Sequence, residues 1–307
     1  MLIKNFFPIM VLLCTILFWA TTFICIKIDL NDLHGVSYTP GALALLRTTV
    51  AFFTIFIFFI IGRGRFIWDI KILIRTAILG IVGFGIYNLA LNYGELYAPA
   101  NMFAFIVGQT PIFSAVLAII FYREHLTKVN VLGIIIGFIG LLIILLNSGI
   151  PNINLNFSLS IACIVMICGA IYSVFQKNIL TKVTPIELVT YALFFGTFVL
   201  LPFSQELCRE IKFIPAHITL IAVYSGIFPG AIAYLLWSYV LTQISITKGM
   251  SFFYLFPFIS CLLGYIFIHE VISFVQFLGA IIALGGALIF NYKTKSTICK
   301  NIRAKCC

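Results

Sequence analysis

Long runs of apolar residues, broken by short polar segments, extend from Pro8 to the neighbourhood of Tyr292. A helix needs about 20 such residues to cross a bilayer core. The runs and breaks predict ten helices near residues 8–28, 41–61, 72–93, 99–121, 129–146, 158–178, 187–203, 215–242, 247–268 and 272–291. No break is long enough to hold a separate soluble domain. The first run follows Lys4 as a signal peptide would, yet it is too long and lacks a small-x-small cleavage site, so it reads as a retained first helix.

The pattern also repeats. The segment from Gly80 matches the segment from Gly226 at a constant offset of 146 residues, with no gap. Between Pro111–Ile143 and Pro257–Ile289, 14 of 33 positions are identical. Matches at Leu and Ile follow from composition alone, but Pro111/Pro257, Ser114/Ser260, Glu124/Glu270, Gly133/Gly279 and Gly140/Gly286 do not. The starts of the halves agree more loosely at an offset of 150, with Phe18-Trp19-Ala20 facing Cys168-Gly169-Ala170 and Lys27 facing Lys177. Five helices per half is an odd number, so the second copy enters the membrane upside down. The expected fold class is therefore all-α and integral to the membrane: ten transmembrane helices in two inverted five-helix repeats, residues 1–150 and 151–292, followed by a basic tail at 293–307. Inverted halves give two states of similar energy, one open on each side of a central site, and alternating access follows.

Composition sharpens this picture. Of 307 residues, 63% are hydrophobic and 9% charged, against about half and about a quarter in an ordinary soluble domain. No water-soluble surface can be built from that balance. A net charge of +10 would suggest nucleic acid as a partner in a soluble chain, but here the basic residues crowd alternate short loops beside membrane helices. With the N-terminus cytoplasmic, fifteen Lys and Arg fall inside, Lys27, Arg209 and Lys212 fall outside, and Arg47 lies within a helix. The positive-inside rule explains that bias and places both termini in the cytoplasm. The expected partners are a small-molecule solute and the lipid bilayer, with no nucleic acid; the oligomeric state is left open.

The nine cysteines form no CxxC pair, and Cys14, Cys25, Cys163, Cys168 and Cys261 sit in apolar helices as small packing residues. No metal site and no cofactor is expected. Zinc-protease, serine-hydrolase and nucleotide-loop motifs are absent, and His34, His125, His217 and His269 are scattered near helix ends, which argues against an enzyme.

The chemistry-bearing candidates are polar residues inside the apolar runs. Arg47 lies about a third of the way into helix 2, where a charge costs at least about 2.5 kcal/mol. Ala44, Thr48, Ala51 and Thr54 share its face, so it reaches a central cavity or else snorkels to an interface. Gly85, Asn88 and Asn92 form a polar stripe on helix 3 that faces the cavity or bonds a neighbouring helix. In helix 4, Gln109 and Thr110 precede Pro111, which frees a backbone carbonyl one turn earlier; Pro257 does the same in helix 9. Both prolines are hinge candidates or static kinks. Trp19, Trp237, Tyr234 and Tyr254 offer aromatic walls, or simply core. The glycine faces at 133, 137 and 140 and at 279 and 286 read as close helix packing, and Glu124 and Glu270 as structural or gating groups at helix N-termini. All nine acidic residues lie in loops or near helix ends, which leaves no midplane carboxylate for proton coupling.

The ordered set Phe18-Trp19-Ala20-Thr21-Thr22-Phe23, Leu46-Arg47-Thr48-Thr49, Tyr87-Asn88-Leu89-Ala90, Gln109-Thr110-Pro111 and the helix 5 glycines resembles the EamA-type members of the drug/metabolite transporter superfamily, over essentially the whole chain. Ala20 stands where many members have glycine, and the second half has no obvious counterpart of Arg47. The resemblance implies a secondary transporter of a small polar or amphipathic metabolite, such as an amino acid or a drug, by efflux or exchange in a bacterial inner membrane. It also allows uptake of a nucleotide-like or S-adenosylmethionine-like solute; a channel or membrane-embedded enzyme ranks behind both. The substrate-binding candidates are Arg47, Trp19, Thr22, Asn88, Asn92, Gln109, Tyr234, Trp237 and Tyr254.

Overall fold

The computed structural model describes residues 6–30, 37–122, 128–147, 152–244, 246–269 and 273–291. These residues form ten helices. Helix α1 spans Phe6–Leu30 and α2 Pro40–Ile61. Helix α3, Ile70–Tyr97, loosens to a π-helical segment over Ile81–Ile86. Helix α4 is broken into Ala100–Val107 and Thr110–Tyr122, and α5 spans Lys128–Leu146. Helix α6 spans Asn152–Ile179, and α7, Pro185–Glu210, has a 3-10 turn at Leu201–Phe203. Helix α8, Ala216–Gln243, holds a second π segment at Gly226–Ile232. Helix α9 joins Ile246–Ser251, a 3-10 turn at Phe252–Leu255 and Phe256–Ile268, and α10 spans Phe274–Asn291. The predicted tail at 293–307, Glu124 and Glu270 lie outside the described residues.

Six of these helices are long and apolar enough to cross a bilayer, and α4, α5, α9 and α10 carry shorter apolar stretches. The outward faces hold Phe53, Ile57, Phe138, Phe198, Leu220 and Leu262, all exposed. In water such a surface would drive association; against lipid tails it is the ordinary helix exterior.

Local sequence explains where the helices begin. Thr39 caps α2 and Thr184 caps α7, each followed by proline at the first helical position. A threonine hydroxyl accepts from an otherwise unpaired helix N–H, and proline has no N–H to leave unpaired. Thr184 and Glu187 complete a reciprocal capping box. The break in α4 follows from Pro111, which leaves the Val107 carbonyl without its usual donor. The Thr110 hydroxyl donates to that carbonyl instead.

Two seams join the halves. Helix α2 packs along α7, tied at one end where Thr39 N donates to Glu210 Oε2 at 3.0 Å and at the other where Arg65 N donates to Glu187 Oε1 at 2.9 Å. Helix α5 packs along α10 through the predicted glycines. A Cβ on Gly140 would come within 2.6 Å of the Gly279 oxygen, and one on Gly286 within 2.6 Å of the Gly133 oxygen. Contacts 140–279 and 133–286 pair residues in opposite chain direction, and each is the image of the other under the 146-residue repeat. That reciprocity is the mark of a two-fold relation between antiparallel helices, which is the inverted repeat in three dimensions.

Candidate substrate cavity

The two π segments occupy equivalent positions in their repeats, and both border a central cavity of about 60 Å³, room for a few waters or one compact solute. A π segment widens one turn of a helix and recurs at functional sites. In α8 it brings Gly226 so close to α2 that a Cβ would lie 2.8 Å from the Arg47 carbonyl oxygen. In α3 it brings Gly83 against the Tyr172 ring. Small residues at these two positions let α2, α3, α6 and α8 converge.

Helix α1 contributes Trp19, Thr22 and Phe23 to the cavity, α2 contributes Arg47, and α3 contributes Gly83, Tyr87 and Asn88. Thr110 of α4, Tyr172 and Ser173 of α6, Tyr234 and Trp237 of α8 and Phe253 of α9 complete most of the wall. The aromatic rings pack on one another: Trp19 lies 5.2 Å from Tyr234 and 5.9 Å from Trp237, and Trp237 lies 5.2 Å from Phe253. These separations suit edge-on and tilted aromatic contacts, so the wall holds itself in place without a ligand.

Arg47 is buried at 4% exposure. Its Nη1 donates to Asn92 Oδ1 at 3.1 Å, and Asn92 Nδ2 in turn donates to the Pro40 carbonyl at 3.0 Å. Arg47 Nε has no hydrogen-bond partner. The Thr22 hydroxyl and the indole nitrogens of Trp19 and Trp237 are likewise buried and unpartnered. Four donors on three helices, all in cavity-lining side chains, thus lack an acceptor. Buried polar groups are rarely left so.

Arg47, Trp19, Thr22, Asn88, Tyr234 and Trp237 therefore meet around one space. Asn92 lies behind it, holding Arg47. Gln109 is buried with its Oε1 near Gly137 of α5, outside the cavity lining. Asn88 Nδ2 donates to the Phe84 carbonyl within the π segment of α3 at 2.9 Å. The side chains of Tyr254 and Pro257 lie outside the described residues, although Pro257 is the second residue of the last piece of α9, just after the 3-10 turn. Tyr172 was missed in the sequence, although at the 150-residue offset it is the counterpart of Thr22. So were two carboxylates: Asp29 and Glu95 are near helix ends, as expected, but both are fully buried.

The EamA-like transporter family matches residues 6–146 and again residues 156–292. A transporter of Archaeoglobus fulgidus with no characterised substrate is 32% identical over 91% of this chain and 96% of its own length. The Bacillus subtilis transporter YdfC, also uncharacterized, is 29% identical over 89% of this chain and 87% of its own. A protein of Streptantibioticus cattleyicolor named as a probable terminal-alkyne amino-acid exporter is 26% identical over 92% and 93%. A crystal structure among the similar solved chains shares the fold, with a TM-score of 0.66 at 17% identity over 94% of this chain and 99% of that one.

Proposed function

The chain belongs to the EamA-like transporter family, and on that premise we propose that it is a secondary carrier moving a small carboxylate-bearing solute of the amino-acid type by alternating access. Membership makes it an integral membrane transporter and not an enzyme. The finer reading rests on one observation: a buried guanidinium with a free Nε borders an aromatic cavity between the two halves, beside three more donors that lack acceptors. A carboxylate supplies two acceptor oxygens and the charge that Arg47 favours, and the aromatic wall takes an apolar side chain. The relative named as an amino-acid exporter supports the same class. In this proposal the protein sits in a bacterial inner membrane with both termini cytoplasmic, and works by efflux or exchange.

Thermal stability of the purified protein, scanned against amino acids, nucleotides, adenosyl compounds and cationic drugs, tests this directly, because a ligand of the native state raises the apparent Tm. The expected result is a shift from one or more amino acids that Arg47→Ala abolishes while that variant still folds. A shift that survives Arg47→Ala, or one given by cationic drugs alone, would overturn the reading.

A further inference from the structure

The buried polar set Asp29, Arg47, Asn92 and Glu95 belongs to one half only. Under the 146-residue repeat Asn92 and Glu95 correspond to Ser238 and Leu241, and at the 150-residue offset Asp29 corresponds to Ile179. Arg47, counted from Pro40 as Ala192 is from Pro185, corresponds to Ala192. Lys27 is different. Its Nζ donates to the Ala98 carbonyl at 3.0 Å, and Lys177 Nζ makes the equivalent bond to the Ile244 carbonyl at 2.8 Å. The architecture thus keeps the lysine in both halves and has Asp29 and Arg47 in only one.

Asp29 is fully buried, and neither carboxylate oxygen has a hydrogen-bond partner among the described residues. It shares one face of α1 with Trp19 and Thr22, and Arg47 lies within its electrostatic reach. A buried carboxylate without hydrogen bonds persists as the counter-ion of a nearby cation or by holding a proton. In the empty protein Asp29 is available to balance Arg47. A solute carboxylate at the free Nε edge adds a further anion to Asp29 and Glu95, the two buried carboxylates that already act on Arg47. We propose that Asp29 is a proton-coupling site: it takes a proton from water when a solute carboxylate docks on Arg47 and gives the proton back when the solute leaves.

This rests on the carboxylate reading of the cavity given above. The site then keeps the same net charge loaded and empty, which spares it an uncompensated buried charge in either condition.

The other groups near Asp29 do not replace it in this role. On α1 itself, Lys27 is turned onto the last carbonyls of α3, and Cys25 is a buried thiol. Glu95 of α3 lies beside Lys27, whose Nζ also donates to the Glu95 carbonyl at 3.2 Å. Tyr38, ahead of α2, donates its N–H to the Asp29 carbonyl, and burial pushes its phenol above the ordinary value, so it stays neutral. The α4 piece Ala100–Val107 carries no titratable side chain, His217 of α8 and Tyr265 of α9 are exposed, and Tyr224 of α8 is engaged with Thr21.

The bound state holds the extra proton, so binding strengthens as pH falls, with the apparent Kd rising about tenfold per pH unit across the coupled range. The test is isothermal titration of the full-length protein with L-alanine, L-leucine, L-phenylalanine and phenylacetate, in pairs of buffers that differ in ionisation enthalpy. The expected result is uptake of about one proton per carboxylate bound, lost with the pH dependence in Asp29→Asn and restored in Asp29→Glu. Binding by the unaltered protein without proton uptake, or uptake that persists in Asp29→Asn, overturns the coupling and leaves the Arg47 reading standing. Binding of none of these probes by the unaltered protein overturns both. Should Asp29→Asn fail to fold, the infrared carbonyl stretch of a protonated carboxyl decides in the unaltered protein: its growth on adding probe supports the coupling, and its absence overturns it.

Discussion

Arg47 and Asn92 divide one task between them. Asn92 fixes the guanidinium through Nη1 and is itself fixed by the Pro40 carbonyl, so the free Nε edge is presented in a set direction. A hydrogen bond to a charged group contributes about 1.5 to 3 kcal/mol. Asn92→Ala is therefore expected to weaken solute binding by about tenfold in a protein that still folds, measurable as a change in Kd. Arg47→Lys should fail to rescue Arg47→Ala, because an ammonium is a point charge that cannot hold Asn92 with one edge and a carboxylate with the other; a lysine variant that binds within about twofold of the original would contradict this two-edged role. Arg47 was legible in the sequence because a charge in the middle of an apolar run has few explanations. Asp29 was not, since a carboxylate that ends an apolar run looks like an interface residue, and only the packing of α1 against its neighbours removes it from water. Asn92 was legible as polar and inward-facing, but helical spacing gives the face of a helix and not what lies across from it.

The helices themselves are the most legible level, and their irregularities divide into two kinds. The break in α4 is written in Pro111, and the α5–α10 seam in glycines at repeated spacing. The π segments are less legible: Gly226–Ile232 carries Pro229 inside it, but Ile81–Ile86 offers only Gly83 and Gly85 as a cue, and it packs against both α6 and α7. The seam gives the sharper prediction. Gly140→Leu places side-chain atoms where the Gly279 backbone already lies, and overpacking of this kind costs about 1 to 3 kcal/mol. The apparent Tm should fall by several degrees. Gly285→Ala is the matched control, because a Cβ there meets nothing within 4 Å; its Tm should hold or rise slightly, in line with the helix preference for alanine.

At the scale of the whole molecule, both seams join one half to the other, and the cavity draws its wall from both. We expect residues 1–150 and 151–307, expressed as separate chains, to be unstable alone and to co-purify when made together, with a tag on one half reading recovery of the other. Two halves each stable alone would show that the seams are not needed for folding. The inversion was legible from an odd helix count per repeat, whereas the unequal chemistry of the halves was only half visible: the missing partner of Arg47 shows in sequence, but the burial of Asp29 and Glu95 in one half shows only in the structure. The repeat also has a centre. Gly137 and Ala283 are each other's counterparts at 146 residues, and they lie together on the α5–α10 seam, with the Ala283 oxygen 3.8 Å from where a Gly137 Cβ would be. A pair that maps onto itself is seen alike by the outward-facing and the inward-facing arrangement. Gly137→Ala, which makes the two sides of the pair identical, should therefore remove the preference that an unequal pair gives to one face, readable as a shift in the share of outward-facing protein.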